Sequence, residues 1–157
     1  MNIYSEVLMK VRTGDEAAQL LSLIDVLSDS LYKMGEESFE QMTASLPRSG
    51  VVGAVVDGAR GVGDIQTKQK WLSGLREAVK RMGELRMTVA VDVDGMFLDE
   101  LKKKLGEEVV FRLEVDPRVM GGAAISYQGK YWDATLGKKV GEIWDKEKDQ
   151  MKRMFGL

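Results

Sequence analysis

The spacing of apolar residues changes near the middle of this chain, and the change divides it. Up to about residue 83 they recur every third or fourth position, which is one face of a helix; beyond residue 86 they alternate with polar ones, as in strands. Residues 3–11 place Ile3, Val7, Leu8 and Val11 on one helical stripe. Thr13-Gly14-Asp15 breaks that helix and caps the next. From Asp15 to Met34 the stripe of Leu20, Leu21, Leu23, Ile24, Val26, Leu27 and Leu31 is broad, as in a helix packed on several neighbours, and Gly35 stops it. Glu36 to Leu46 repeats Phe39, Met42 and Leu46 at helical spacing, and Pro47-Arg48-Ser49-Gly50 is a turn. Val51 to Val56 reads as a short buried strand or as a small-residue helix; its place among helices favours the helix. Gly58-Ala59-Arg60-Gly61-Val62-Gly63 reads as a loop. Asp64 then caps a helix to Met82 that turns Ile65, Trp71 or Leu72, Leu75, Val79 and Met82 inward, and Gly83 ends it.

Arg86 to Val93 alternates, with Met87, Val89, Val91 and Val93 on one face, and so reads as a half-buried strand. Asp94 caps a short helix carrying Phe97, Leu98, Leu101 and Leu105, which stops at Gly106. Val109 to Val115 is a second strand. Ala123 to Tyr127 and Lys130 to Asp133 form a hairpin around Gln128-Gly129. A last helix runs from about Leu136 to Phe155. Helices and strands are thus segregated. The expected class is α+β, an N-terminal helical bundle over residues 1–83 followed by a small C-terminal α/β domain over residues 86–157, with a β-α-β-β-β-α order.

Composition narrows the function. The formal net charge of the 157 residues is −2, so no general basic field draws in nucleic acid. With no cysteine and no histidine there are no disulfides, thiol nucleophiles or Cys/His zinc sites, and the commonest general base near neutral pH is missing. The lack of cysteine suits a reducing compartment. No run of about 18 apolar residues exists, so no direct membrane insertion is expected. The segment Met1-Asn2-Ile3-Tyr4-Ser5-Glu6 lacks the basic start and apolar core of a signal peptide.

Each candidate for chemistry has a plainer structural reading. Gly58, Gly61 and Gly63 precede a helix, but a phosphate loop needs Gly-Lys-Ser/Thr where Gly63 is followed by Asp64, so a linker is expected. Asp92-x-Asp94-Gly95 fails as a calcium loop, because the first and twelfth ligand positions fall on Ala90 and Leu101. Asp116 and Asp133 read as a turn former before Pro117 and as a strand end that caps the last helix. Gly121-Gly122 opens a strand, where glycine is retained for a positive φ or a close approach by another segment. Lys102-Lys103-Lys104 reads as a solvated face beside Glu107 and Glu108. No catalytic residue, cofactor site or metal site is expected.

From Arg86 to about Ile143 the sequence resembles the C-terminal part of the ATP synthase delta subunit family, the oligomycin-sensitivity-conferring protein of mitochondria. The likeness rests on an alternating strand at Val89 to Val93, a short helix at Leu98 to Leu105, and a strand at Val109 to Val115 that runs into Asp116-Pro117. A four-residue turn then leads into Gly121-Gly122, and a hairpin closes on Asp133 before the last helix. The family follows that aspartate with Gly-Ser-Val or similar; this chain has Ala134-Thr135-Leu136. The resemblance implies a non-catalytic stator subunit of a rotary proton-translocating ATP synthase. Its N-terminal bundle would grip the N-terminal helices of the head's alpha subunits, with Leu20, Ile24, Leu27 and Leu31 holding the bundle together. Its C-terminal domain would bind the b-type peripheral stalk, with Val140, Trp144, Met151 and Phe155 on the stalk side. The implied location is the cytoplasmic face of the bacterial cell membrane, peripheral through the complex, with neither nucleic acid nor cofactor involved.

Two other classes remain. One is the equivalent stalk subunit of a vacuolar or archaeal-type ATPase, which expects a single long N-terminal helix; Gly14, Gly35, Gly50, Gly53 and Pro47 argue against that. The other is a small-ligand-binding α+β domain built on Asp116, Asp133 and the glycines.

Overall fold

Thr13 starts the first long helix. Its hydroxyl accepts from the Glu16 N–H at 3.2 Å while the Glu16 carboxylate accepts from the Thr13 N–H at 3.4 Å, a reciprocal capping box. Glu16 also accepts from the Arg12 N–H at 2.7 Å and the Arg12 guanidinium at 2.8 Å. Partial burial alone would raise the Glu16 carboxyl. The side-chain and backbone hydrogen bonds from Arg12 outweigh it and hold the carboxyl below its ordinary value. Thr13→Ala removes the cap, and an unfolding titration is expected to read a loss of about 1 kcal/mol.

The computed structural model describes residues 3–155, with the side chains of residues 34, 144 and 147–155 outside the described set. The element order is α1 (Ser5–Lys10), α2 (Gly14–Ser45), α3 (Gly50–Gly61), α4 (Ile65–Lys80), β1 (Gly83–Val89), α5 (Gly95–Leu105), β2 (Val109–Val115), a 3-10 turn (Pro117–Val119), β3 (Ala123–Tyr127), β4 (Lys130–Asp133) and α6 (Leu136–Phe155). The fold is α+β, with helices first and a four-stranded mixed sheet after them. α2 is broken at Gly35, where φ is +77°, so it acts as two helices.

Two compact units result. One contains residues up to 83 together with 95–110; the other contains 84–94 together with the residues from 111 on. The division follows packing rather than chain order. α5 belongs with the helices, although in sequence it lies between two strands.

The helical unit is built on a core that includes Leu20, Ile24, Leu27, Leu31, Phe39, Leu72 and Leu75, all buried. Val51 to Val56 lie within α3 as a helix. The loop expected after them is shorter than read: Gly58 and Gly61 are in α3, and only Gly63 of the three glycines lies in the link to α4. A Cβ on Gly58 would overlap the Trp71 ring, so the small residue lets Trp71 of α4 lie against α3. Lys68 is buried, ion-paired with Glu36, and its ammonium sits 5.7 Å from the centre of the Phe39 ring.

Lys102 departs most from expectation. It is fully buried instead of solvated, and only Lys103 and Lys104 are exposed. Gly106, at φ +96°, ends α5 by donating its N–H to the Lys102 carbonyl at 2.9 Å. The Lys102 amine donates to the carbonyl oxygens of Glu107 and Val109. Burial lowers the Lys102 pKa to about 8, against the opposing charges of Glu107 and Glu16.

In the sheet the order is β2-β1-β3-β4. β1 pairs antiparallel with β3 (Met87 opposite Ile125), and β3 pairs antiparallel with β4 (Ile125 opposite Trp132). β1 begins and ends earlier than its alternation suggests. Gly83 already donates its N–H to the Glu108 carbonyl, and Val89 ends the strand, where its carbonyl accepts from the Asp116 N–H at 2.8 Å. Val91 lies beyond it, exposed, and the Asp92 side chain accepts from the next N–H at 3.0 Å in place of a ladder bond. The Gln128-Gly129 turn has φ of +49° and +76°, the pair of positive angles of a tight type I′ hairpin.

Candidate functional site

The residues singled out in the second half meet at one junction, the passage from β4 into α6. Asp116 opens the turn after β2. Its Oδ1 accepts from the Arg118 N–H at 3.0 Å, and its two oxygens take the Arg118 guanidinium in a fork, with the closest contact 2.9 Å. Pro117 starts the 3-10 turn, where its missing N–H removes no bond. Met120 follows in the left-handed region at φ +59°, then Gly121 and Gly122 at +123° and +76°.

Three successive positive φ angles reverse the chain and bring Gly121-Gly122 against residues 134–136. The Gly121 carbonyl accepts from the Leu136 N–H at 2.8 Å, and the Ala123 carbonyl accepts from the Ala134 N–H at 2.9 Å. A Cβ on Gly122 would overlap the Ala134 carbonyl. Both reasons for glycine therefore apply at once, a positive φ and a close backbone approach.

Asp133 does not cap α6 itself. Its Oδ1 accepts from the Thr135 N–H at 2.9 Å, and the buried Thr135 hydroxyl accepts from the Lys138 N–H at 3.2 Å, so Thr135 is the cap and Asp133 shapes the turn before it. A carboxylate two residues earlier cannot reach the first free N–H groups of the helix. Thr135 was legible as a cap in the sequence, since Ser/Thr lead among capping residues. Asp116 and Asp133 line one open, shallow concavity of about 540 Å³, with Tyr131, Thr135 and Lys138. Both carboxyls are held below their ordinary range, Asp116 by the Arg118 side chain and Asp133 by the Thr135 side chain and N–H. Among the described residues no group of three or more His, Cys, Asp or Glu side chains is placed to hold a metal ion.

The bonds from Leu136 to Gly121 and from Lys138 to Thr135 fix the start of α6 at this junction. Along the helix it launches, Leu136, Val140 and Ile143 are 48 %, 50 % and 61 % exposed. Trp144, Met151 and Phe155, expected beside Val140 on the stalk side, have side chains outside the described residues.

The helical unit has a surface of its own that the spacing of the sequence did not point to. A groove of about 560 Å³ is lined by apolar Leu20, Leu23, Leu46 and Val51 together with charged Lys10, Arg12, Glu16 and Asp99. Arg12 bridges Glu16 at 2.8 Å and Asp99 at 3.8 Å, which ties α5 to the start of α2. The Thr13-x-x-Glu16 spacing carried the local part of this arrangement; Asp99 lies too far along the chain to carry any signal.

No protein-family model and no curated protein matches this sequence. Among the described residues no helix is long and apolar enough to cross a membrane.

Proposed function

We propose that this chain is the non-catalytic stator subunit of a rotary proton-translocating ATP synthase. In this reading it belongs to the delta subunit family and works on the cytoplasmic face of the bacterial cell membrane as a peripheral part of the complex. The observation that carries the reading is the exposed apolar stripe of α6 on a mount built from Asp116, Pro117, Gly121, Gly122 and Asp133. A helix that leaves such a stripe open to water is suited to lie along another helix, here the b-type stalk. The groove of the helical unit, apolar and edged with both charges, suits an amphipathic helix such as the N-terminal segment of an alpha subunit.

The mechanism is tethering. The first contact raises the effective concentration of the second, so two modest helix contacts on one molecule hold the head against the torque of the rotor. Affinity purification of the full chain from its native source is expected to recover alpha and b chains together. Val140→Asp puts a charge into the stripe and is expected to weaken b-chain recovery at least about tenfold while alpha recovery persists. Absence of both chains from the wild-type eluate sinks the proposal.

A further inference from the structure

α6 carries more than an apolar stripe, because one flank of that stripe is basic. Leu136, Val140 and Ile143 follow one another at four- and then three-residue spacing, the spacing of a seam between two helices. Lys139 and Lys146 are seven residues apart, almost two full turns, and so share one flank of the seam. Both are exposed, and neither forms an ion pair among the described residues. The sequence continues the same spacing with Arg153. The opposite flank carries Gly137 and, seven residues on, Trp144. Asp145 falls on the far side, Glu142 lies behind the lysine flank, and Glu147 follows Ile143 in the line of the seam, which ends the apolar run there.

We infer that this seam takes an amphipathic helix with acidic residues along one edge of its apolar stripe. The apolar contact supplies attraction without direction. The lysine flank selects the partner and its orientation, because a basic edge laid there meets like charge. A second copy of this chain fits poorly, since antiparallel α6 helices would set their lysine flanks against each other. The inference deepens the stalk reading of α6 and rests on it for the biological partner, but the chemistry is separable from that partner.

The test titrates the full chain with two model helices that share one apolar stripe and differ only in an acidic or a basic edge. About fivefold tighter binding of the acidic-edged helix at low salt is expected, falling toward equality at 1 M salt. Lys139→Glu combined with Lys146→Glu is expected to reverse the preference. Circular dichroism of the double variant checks that the fold is retained, since both positions are exposed. Equal binding of the two helices, or a preference that the charge reversal leaves intact, overturns the inference. So does a dimer of the chain in sedimentation that Val140→Asp breaks, because a second copy then occupies the seam. If the acidic-edged helix binds as expected and a b-type stalk chain does not, the inference stands and the stator reading fails.

Discussion

Gly122→Ala is expected to destabilise the sheet unit by roughly 2–3 kcal/mol, far more than its one added methyl suggests. A positive φ by itself costs a residue with a Cβ about 1 kcal/mol. Gly129 isolates that cost, because its φ is also +76° and a Cβ there would meet nothing within 4 Å. At Gly122 the methyl would in addition overlap the carbonyl of Ala134, a backbone atom that cannot rotate away. The backbone on both sides is already fixed, by the bonds from Ala134 to Ala123 and from Leu136 to Gly121. Relief therefore requires moving the start of α6. Denaturant unfolding of Gly122→Ala beside Gly129→Ala measures the difference, and equal losses would show that the close approach carries no weight. Because the displaced element is α6, binding to any helix on its stripe is expected to fall for Gly122→Ala and to persist for Gly129→Ala.

The second large effect is a dependence on pH. Lys102 holds its proton in the folded chain only up to about pH 8, whereas in the unfolded chain a lysine holds it to about pH 10.4. Between those values the unfolded chain binds the extra proton, so raising the pH favours the folded state. The gain is absent below about pH 8, where both states are protonated, and complete above about 10.4, where both are neutral. It amounts to at most about 3 kcal/mol. Lys102→Met keeps the length and removes the titrating group. Unfolding midpoints at pH 7, 8.5 and 10 are expected to rise for the wild type relative to Lys102→Met, with the tyrosines and surface lysines cancelling in the comparison. Parallel profiles for the two proteins would rule out the burial of a titrating amine. Lys102→Met also leaves the Glu107 and Val109 carbonyls without that donor, a cost of about 1–3 kcal/mol at any pH.

Element type followed from local chemistry wherever one face was to be buried. The stripe through Leu20, Ile24, Leu27 and Leu31 gives a helix, and the alternation through Val109 to Val115 gives a strand with those same ends. The Gln128-Gly129 turn was legible because few residue pairs accept two positive φ angles. The reading went astray where a residue's neighbours are distant in the chain. Val91 and Val93 continue the alternation of β1, but no strand pairing reaches them and Val91 ends exposed. Gly58 looked like loop punctuation because glycine is the usual breaker; the Trp71 ring that makes it a packing residue lies thirteen positions away. Lys102 sits in a run of three lysines that composition assigns to water, and only the two carbonyls beyond the Gly106 turn make its burial tolerable.

What the chain determines by itself is its class and the order of its elements, because hydrophobic period, caps and turn residues act over a few positions. It also marks Asp116-Pro117, Gly121-Gly122 and Asp133 as places where the backbone must turn. Only the tertiary structure decides that these turns meet around the base of α6, that α5 sides with the helices, and that Lys102 points inward. Those outcomes depend on contacts between residues far apart in sequence, and no local preference encodes which distant carbonyl, ring or carboxylate will be there to receive a side chain.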